Sequence, residues 1–215
     1  MIDFGYLIIV NEGADTNYTR LAYALALSIK NTQKEGYDKV ALVIDNKDHI
    51  ENFTSTWVFD HVIEWKGPEG WDSRSYMDTL TPFENTVCLD ADMLFFRDYS
   101  HWVEYFINNS ELYVANNAYT YRGELVTNDH YRKCFTANDL PNLYSFYTFF
   151  VKNSTLAKDF FNLQREIIKN PDRYSNEFLV NKKPKVVGTD EAFALAAKIL
   201  DVADDIAYPL EFPRV

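Results

Sequence analysis

The apolar positions of this chain fall into short solid runs separated by amphipathic stretches. Tyr6-Leu7-Ile8-Ile9-Val10, Val40-Ala41-Leu42-Val43-Ile44 and Thr86-Val87-Cys88-Leu89 are apolar at nearly every position rather than at alternate ones. That pattern predicts strands covered on both faces. Val62-Ile63 begins a shorter one. Between these runs the spacing turns helical. Leu21, Leu25 and Ile29, flanked by Ala22 and Ala26, form one stripe and predict a helix over about 15–31. A polar helix is expected over about 47–56. Another is expected over about 72–80, where Pro82 stops it.

The second half is less regular. Glu111-Leu112-Tyr113-Val114-Ala115 and Ser145-Phe146-Tyr147-Thr148-Phe149-Phe150-Val151 read as strands. Ser154 caps a helix running to about 169, with Leu156, Phe160, Leu163 and Ile167 on one face, and Asn170-Pro171 ends it. A last helix begins near Asp190, with Phe193, Ala197 and Leu200 in phase. The stretch 118–142 is polar and aromatic with little periodicity. It reads as a long loop, and long loops in compact domains often carry function.

The alternation of strands and helices in the first half predicts an α/β fold with a mostly parallel sheet and helices on both faces. Ligands of such sheets bind beyond the carboxyl ends of the strands. Asn11, Asp45 and Asp90 follow three of the predicted strands directly, so one shared site is expected there.

Composition narrows the functional classes. The 215 residues suit one domain, 1–215, and an apolar share of 47% excludes a disordered chain. The net charge of −11 argues against nonspecific binding of nucleic acid or of an anionic membrane. Cys88 and Cys134 have no metal-ligand spacing, and Cys88 reads as a buried reduced thiol. The N-terminus lacks a signal-peptide pattern, and no run approaches the roughly 18 apolar residues of a spanning helix. A cytoplasmic protein without a membrane segment is expected, and the sequons at Asn17, Asn52, Asn108 and Asn153 read as chance.

Asp90-Ala91-Asp92 carries the chemistry. Two carboxylates two residues apart at a strand's end can reach one divalent cation through hard oxygen ligands. An acidic site needs such a cation to hold a diphosphate, whose departure the cation would stabilise as a Lewis acid. Asp pairs also occur as solvated turns. The context, a buried strand within an α/β pattern, sets this one apart.

Val87-Cys88-Leu89-Asp90-Ala91-Asp92-Met93 resembles the signature of GT-A fold glycosyltransferases, and is most similar to the glycogenin and galactosyltransferase group, family 8. The resemblance runs from Tyr6 to about Leu200, and the small size would suit a compact bacteriophage-encoded member. It implies a Rossmann-like nucleotide-diphospho-sugar transferase fold with an antiparallel part in its second half. It also implies a UDP-sugar donor, Mn²⁺ or Mg²⁺ as cofactor, an unknown glycan, protein or small-molecule acceptor, and retaining hexosyl transfer. Slow donor hydrolysis could accompany it.

The same resemblance distributes roles. Asp90 and Asp92 would ligate metal, with Asp90 also meeting the ribose and Ala91 lying beside the donor. Val10 and Asn11 would contact the nucleotide, Tyr18 would stack on the base, and Asp45 would lie near base or ribose. Arg74, on the helix before the Asp-x-Asp strand, would steady phosphate or sugar, as a guanidinium suits phosphate. Asp190 would bind sugar hydroxyls. Glu191 stands where retaining members carry Gln, and a carboxylate there could act as a base, as in inverting enzymes. Each position also has a plainer reading. Tyr18 fits a surface helix tyrosine, Asp45 a cap, Arg74 a solvated helix residue, and Thr189-Asp190-Glu191 an ordinary helix start favoured by the dipole.

Departures from the pattern set further expectations. Ser145 and Tyr147 stand where the family has Asn and Gly against the donor sugar. No His-x-x-Gly-x-x-Lys-Pro-Trp follows Leu200, and His49, His61, His101 and His130 all lie upstream. Weaker metal and donor binding is expected, with water completing the metal's shell. Three other readings compete. A nucleotidyltransferase would show a Gly-rich basic loop after the first strand, where Asn11-Glu12-Gly13-Ala14-Asp15 is acidic. An aspartyl phosphatase would carry its Asp pair near the N-terminus, followed by Thr or Val. A catalytically inactive nucleotide-sugar-binding module differs from the enzyme only in turnover.

Overall fold

The computed structural model describes residues 3–11, 17–51, 56–68, 70–116, 118–119, 122, 124–125, 132–180 and 187–207. The elements are β1 (Phe4–Val10), α1 (Tyr18–Thr32), β2 (Val40–Ile44), α2 (Asp48–Glu51) and β3 (His61–Glu64), then a 3₁₀ segment (Gly70–Tyr76) that runs into α3 (Met77–Leu80). There follow β4 (Asn85–Leu89), α4 (Ser100–Asn109), β5 (Leu112–Ala115), α5 (Lys133–Asn138) and β6 (Tyr144–Val151). The chain continues through α6 (Thr155–Lys169), α7 (Pro171–Phe178), α8 (Thr189–Leu200) and α9 (Ala203–Ile206).

The described strands form one six-stranded sheet in the order β3-β2-β1-β4-β6-β5. β1 pairs in parallel with β2 and β4, and β2 in parallel with β3. β6 runs antiparallel to both β4 and β5, so the second half supplies the antiparallel part. The chain winds outward from β1 to β3, then returns to place β4 on the other side of β1. The crevice beyond the ends of β1 and β4 is thus the switch point where such sheets bind ligands.

The solid runs form strands because both sheet faces are covered. On one face Leu7, Ile9, Val43, Cys88 and Phe150 meet Phe160, Phe161 and Ile167 of α6 and the Ala192–Ala197 face of α8. On the other, Tyr6, Ile8, Leu42, Val87 and Phe149 meet Leu25 and Ile29 of α1 and Trp102, Val103 and Phe106 of α4. Burying each such side chain stabilises by about 1.5–3 kcal/mol.

Several boundaries differ from the sequence expectation for identifiable reasons. α1 starts at Tyr18 because Asn17 Oδ1 accepts the Arg20 N–H at 2.7 Å and caps it; residues 12–16 lie outside the described residues. The helix expected over 47–56 is described only as α2, since 52–55, with Asn52, lie outside. The helix expected over 72–80 begins as 3₁₀, where Ser75 Oγ bonds the Asp72 carbonyl at 2.7 Å. Pro171 starts α7 as well as ending α6, because a first-turn N–H has no intrahelical partner to lose. The stretch 118–142 holds α5 and a bridge between Tyr119 and Leu125, with much of the remainder, His130 included, outside the described residues. α4 was not foreseen at all. Cys88 and Cys134 are both buried and neither forms a disulfide.

Candidate functional site

A cleft of about 420 Å³ opens at the switch point, lined by Val10, Asn11, Tyr18, Arg74, Asp90, Ala91, Asp92, Ser145, Asp190 and Glu191, together with Ile9, Ser73, Gly188 and Thr189. Topology brings them together. β1 ends at Val10 and delivers Asn11, while β4 ends at Leu89 and delivers the acidic pair. Because β6 is antiparallel, its start lies beside the end of β4. Leu89 pairs with Tyr147, and the Asp90 N–H donates to the Phe146 carbonyl at 3.1 Å. Ser145 is thereby carried to the cleft floor. The 3₁₀ segment brings Ser73 and Arg74 in from the α6 side, and α8 points its N-terminus inward.

The polar groups form a connected chain. Arg74 Nη2 pairs with Asp90 Oδ1, and Arg74 Nη1 donates to the Ser145 carbonyl at 3.1 Å. The Ser145 N–H donates to Asp190 Oδ1 at 2.8 Å, and Asp190 Oδ2 accepts from Arg132 at 3.2 Å. Ser73 Oγ lies 3.5 Å from Asn11 Oδ1. Burial pushes the Asp90 carboxyl above its usual range. Arg74 opposes this, and the like charges of Asp92 and Asp190 reinforce it. Behind it, burial raises the Cys88 thiol to about 11, so it stays protonated and inert.

Asp45 stands apart from the other marked residues. It does not line the cleft; its carboxylate lies 3.7 Å from His49 Nδ1 and its carbonyl accepts from Lys66 at 2.6 Å. Nor does it cap the next helix, since Asn46 Oδ1 takes the Asp48 N–H instead. The end of β2 lies on the far side of β1 from β4, which is why one polar strand end of the three faces elsewhere. Ser145 acts through its backbone as well as lining the cleft. Tyr147 turns to the opposite sheet face, where its ring meets Phe106 and Tyr113 at 6.1 and 6.5 Å, and so does not crowd the cleft. Tyr18 stands at the mouth, 39% exposed on the first turn of α1.

Glu191 folds back over Gly188. A Cβ built on Gly188 would lie 2.5 Å from Glu191 Oε2, so the absence of a side chain at the N-cap of α8 makes room for that carboxylate. Sequence reasoning missed Ser73, Gly188 and Arg132. The first two are neighbours of predicted residues. Arg132 lies in a segment without periodicity and gave no signal.

The residues suit a divalent cation in part. Asp90 and Asp92 offer hard oxygens, Asp92 is exposed to the cleft, and a cation would offset the burial and the like charges that raise the Asp90 pKa. Among the described residues no group of three or more His, Cys, Asp or Glu side chains forms a metal cluster. Of the histidines, His49 lies by Asp45, His61 packs on Phe83 at 5.4 Å and His101 on Trp102 at 6.1 Å. A metal here would rest on two carboxylates, donor oxygens and water. No helix among the described residues is long and apolar enough to cross a membrane.

No protein-family model matches the chain, and no curated protein matches it. Solved structures do. Mouse xyloside xylosyltransferase 1 in its apo form superposes with a TM-score of 0.59 at 11% identity, over 97% of this chain and 85% of that one. The glycosyltransferase GlyE of Streptococcus pneumoniae TIGR4 gives 0.58 at 11% identity, over 98% of this chain and 46% of GlyE, and its apo form gives 0.56. The chain has the GT-A glycosyltransferase fold. The likeness extends over nearly its whole length, while it spans under half of GlyE. These structures lend no support to a bacteriophage origin.

Proposed function

We propose that the cleft binds a UDP-sugar with Mn²⁺ or Mg²⁺ on Asp90 and Asp92 and transfers the sugar to an acceptor. The observation that carries this reading is the convergence at one switch point of an acidic pair, a partly buried arginine paired with Asp90, and a helix N-terminus bearing Asp190. A bound divalent cation would supply Lewis-acid stabilisation of the departing diphosphate. The protein's own part is positional. Arg74 stands where it can pass from Asp90 to a phosphate oxygen. Val10, Asn11 and Tyr18 line the end of the cleft suited to the nucleoside. Asp190 and Glu191 face the space left for the sugar, and retaining hexosyl transfer is the expected outcome. The likeness to a xyloside xylosyltransferase makes UDP-xylose one donor to try, beside UDP-glucose and UDP-galactose.

The deciding experiment is calorimetric titration of UDP, with Mn²⁺ and with EDTA, into the wild type and Asp92→Ala. Binding that needs metal and disappears in the variant supports the reading. Absence of binding in every condition removes it.

A further inference from the structure

Arg132 lies outside the set of residues that the sequence marked, yet its side chain is only 8% exposed and points at the cleft's inner wall. Its guanidinium carbon sits 3.7 Å from the Phe135 ring centroid and 4.0 Å from that of Tyr144, so two aromatic faces grip it. Nη2 is tied to the Leu143 carbonyl and Nη1 reaches Asp190 Oδ2 at 3.2 Å. A guanidinium stacked between rings has few rotamers left, so what it touches is held in turn.

We infer that Arg132 is a positioning residue for the sugar end of the donor: it fixes the Asp190 carboxylate at the orientation in which it meets sugar hydroxyls. This rests on the proposed donor site. Asp190 has each of its two oxygens bonded by a different partner, Oδ1 by the Ser145 N–H and Oδ2 by Arg132. Two such bonds fix both the position and the twist of the carboxylate plane. The remaining lone pairs then face the cleft at a set angle, which is what selecting among sugar hydroxyls demands. Without Arg132, Asp190 turns about the Ser145 bond. Arg132 bonds Asp190 and reaches Asp90 only through Ser145 and Arg74, so its loss falls first on the sugar's share of the affinity.

The readout is the extra affinity that the sugar gives, taken as the ratio of the UDP Kd to the Kd of the tightest of UDP-glucose, UDP-galactose and UDP-xylose, with Mn²⁺. Arg132→Met keeps the apolar stem between the rings and removes the charge. The expected result is a loss of about tenfold in the ratio, with the UDP Kd itself moving by much less. Arg132→Lys, which keeps a charge able to reach Asp190 but loses the ring stacking, is expected to recover part of it, whereas a merely structural staple would not depend on the charge. Should Arg132→Met lose the fold by far-UV circular dichroism, Arg132→Gln takes its place with the same expectation. A wild-type ratio that the variants leave intact overturns the inference, as does a wild type that binds none of the three donors more tightly than UDP. A wild type that does not bind UDP at all instead removes the donor site on which the inference stands.

Discussion

Ser145 donates its backbone N–H to Asp190 Oδ1 at 2.8 Å, tying the start of β6 to the first turn of α8. The carbonyl of the same residue accepts from Arg74, which also holds Asp90. One residue therefore links Asp90, by way of Arg74, to the α8 carboxylate through its backbone alone. The hydroxymethyl group of Ser145 is not needed for that link. Asp190→Ala strips partners from a backbone N–H and from a buried guanidinium. It should cost about 1–3 kcal/mol in urea denaturation. Asp190→Asn keeps the Oδ1 bond to Ser145 and should cost less. Equal losses for the two would show that the Ser145 bond contributes little.

Asp92 differs from its neighbours in being exposed and outside this chain of contacts. Asp92→Ala should therefore leave the melting temperature of the metal-free protein nearly unchanged, within about 0.5 kcal/mol. Stabilisation by Mn²⁺, seen as a rise in Tm for the wild type, should vanish in the variant. A Tm that still rises with Mn²⁺ in Asp92→Ala would place the metal elsewhere.

The proposed metal and a proton would compete for Asp90. Burial, with Asp92 and Asp190 adding like charge against the opposing Arg74, holds its proton more tightly than an ordinary aspartate does. In the metal-free protein the folded carboxyl has the higher pKa. Its contribution to stability is thus fully present below the unfolded value near ~3.9 and is lost as pH rises through the raised folded value. Metal binding runs the other way, since it requires the ionised form. Mn²⁺ affinity should fall with acidification, beginning above the usual aspartate range and approaching about one decade per pH unit. Asp190→Asn removes a like charge and should move that onset to lower pH. Titrations of Mn²⁺ from pH 7 down to 4.5 would check both.

The 3₁₀ segment that presents Arg74 is itself held by Arg165 of α6. Arg165 Nη1 bonds Asp78 at 2.7 Å and the Ser75 carbonyl at 2.6 Å, with both charged side chains almost wholly buried. Arg165→Ala leaves Asp78 buried without its partner, and should cost about 3–5 kcal/mol. In whatever folds, UDP affinity should drop through the loosened Arg74. Arg165→Lys, which keeps one bond of the fork, should lose less of both. A stability within experimental error of wild type for Arg165→Ala would contradict the buried-pair assignment.

How much of this was legible in the sequence depended on periodicity and on range. β1, β2 and β4 were readable because central strands covered on both faces must be apolar throughout. α1, α6 and α8 were readable because each carries a stripe over three or more turns. α5 is short, so it offers too few repeats to show a period. α4 buries Trp102, Val103 and Phe106 amid polar neighbours. The acidic pair was legible from its place after a solid strand. Asp45 shared that place on β2, and nothing local says that β2 lies on the far side of β1. The Arg132–Asp190 pair spans 58 residues and joins an aperiodic segment to a helix start, so only the folded chain reveals it.

Glu191 is the residue on which the stereochemical reading turns. Its carboxylate lies over the Cα of Gly188 and faces the cleft, at the position that the family resemblance gives to Gln in retaining enzymes. If transfer is retaining, an amide serves as well as a carboxylate, and Glu191→Gln should keep kcat within about tenfold of wild type. If Glu191 removes the acceptor proton, the same change should lower kcat by about 10²–10⁴, with inverted product. Gly188→Ala separates these effects from folding. Its N-cap φ of −71° suits alanine, and the new methyl meets only the movable end of the Glu191 side chain. The fold should persist while the carboxylate shifts. On the retaining reading, turnover of Gly188→Ala should fall by more than that of Glu191→Gln, because a displaced side chain intrudes on the sugar whereas an isosteric amide does not. Proton NMR of the anomeric product formed by the wild type, beside kcat for both variants, decides between the two courses. An inverted anomer together with collapse of Glu191→Gln would overturn the retaining assignment.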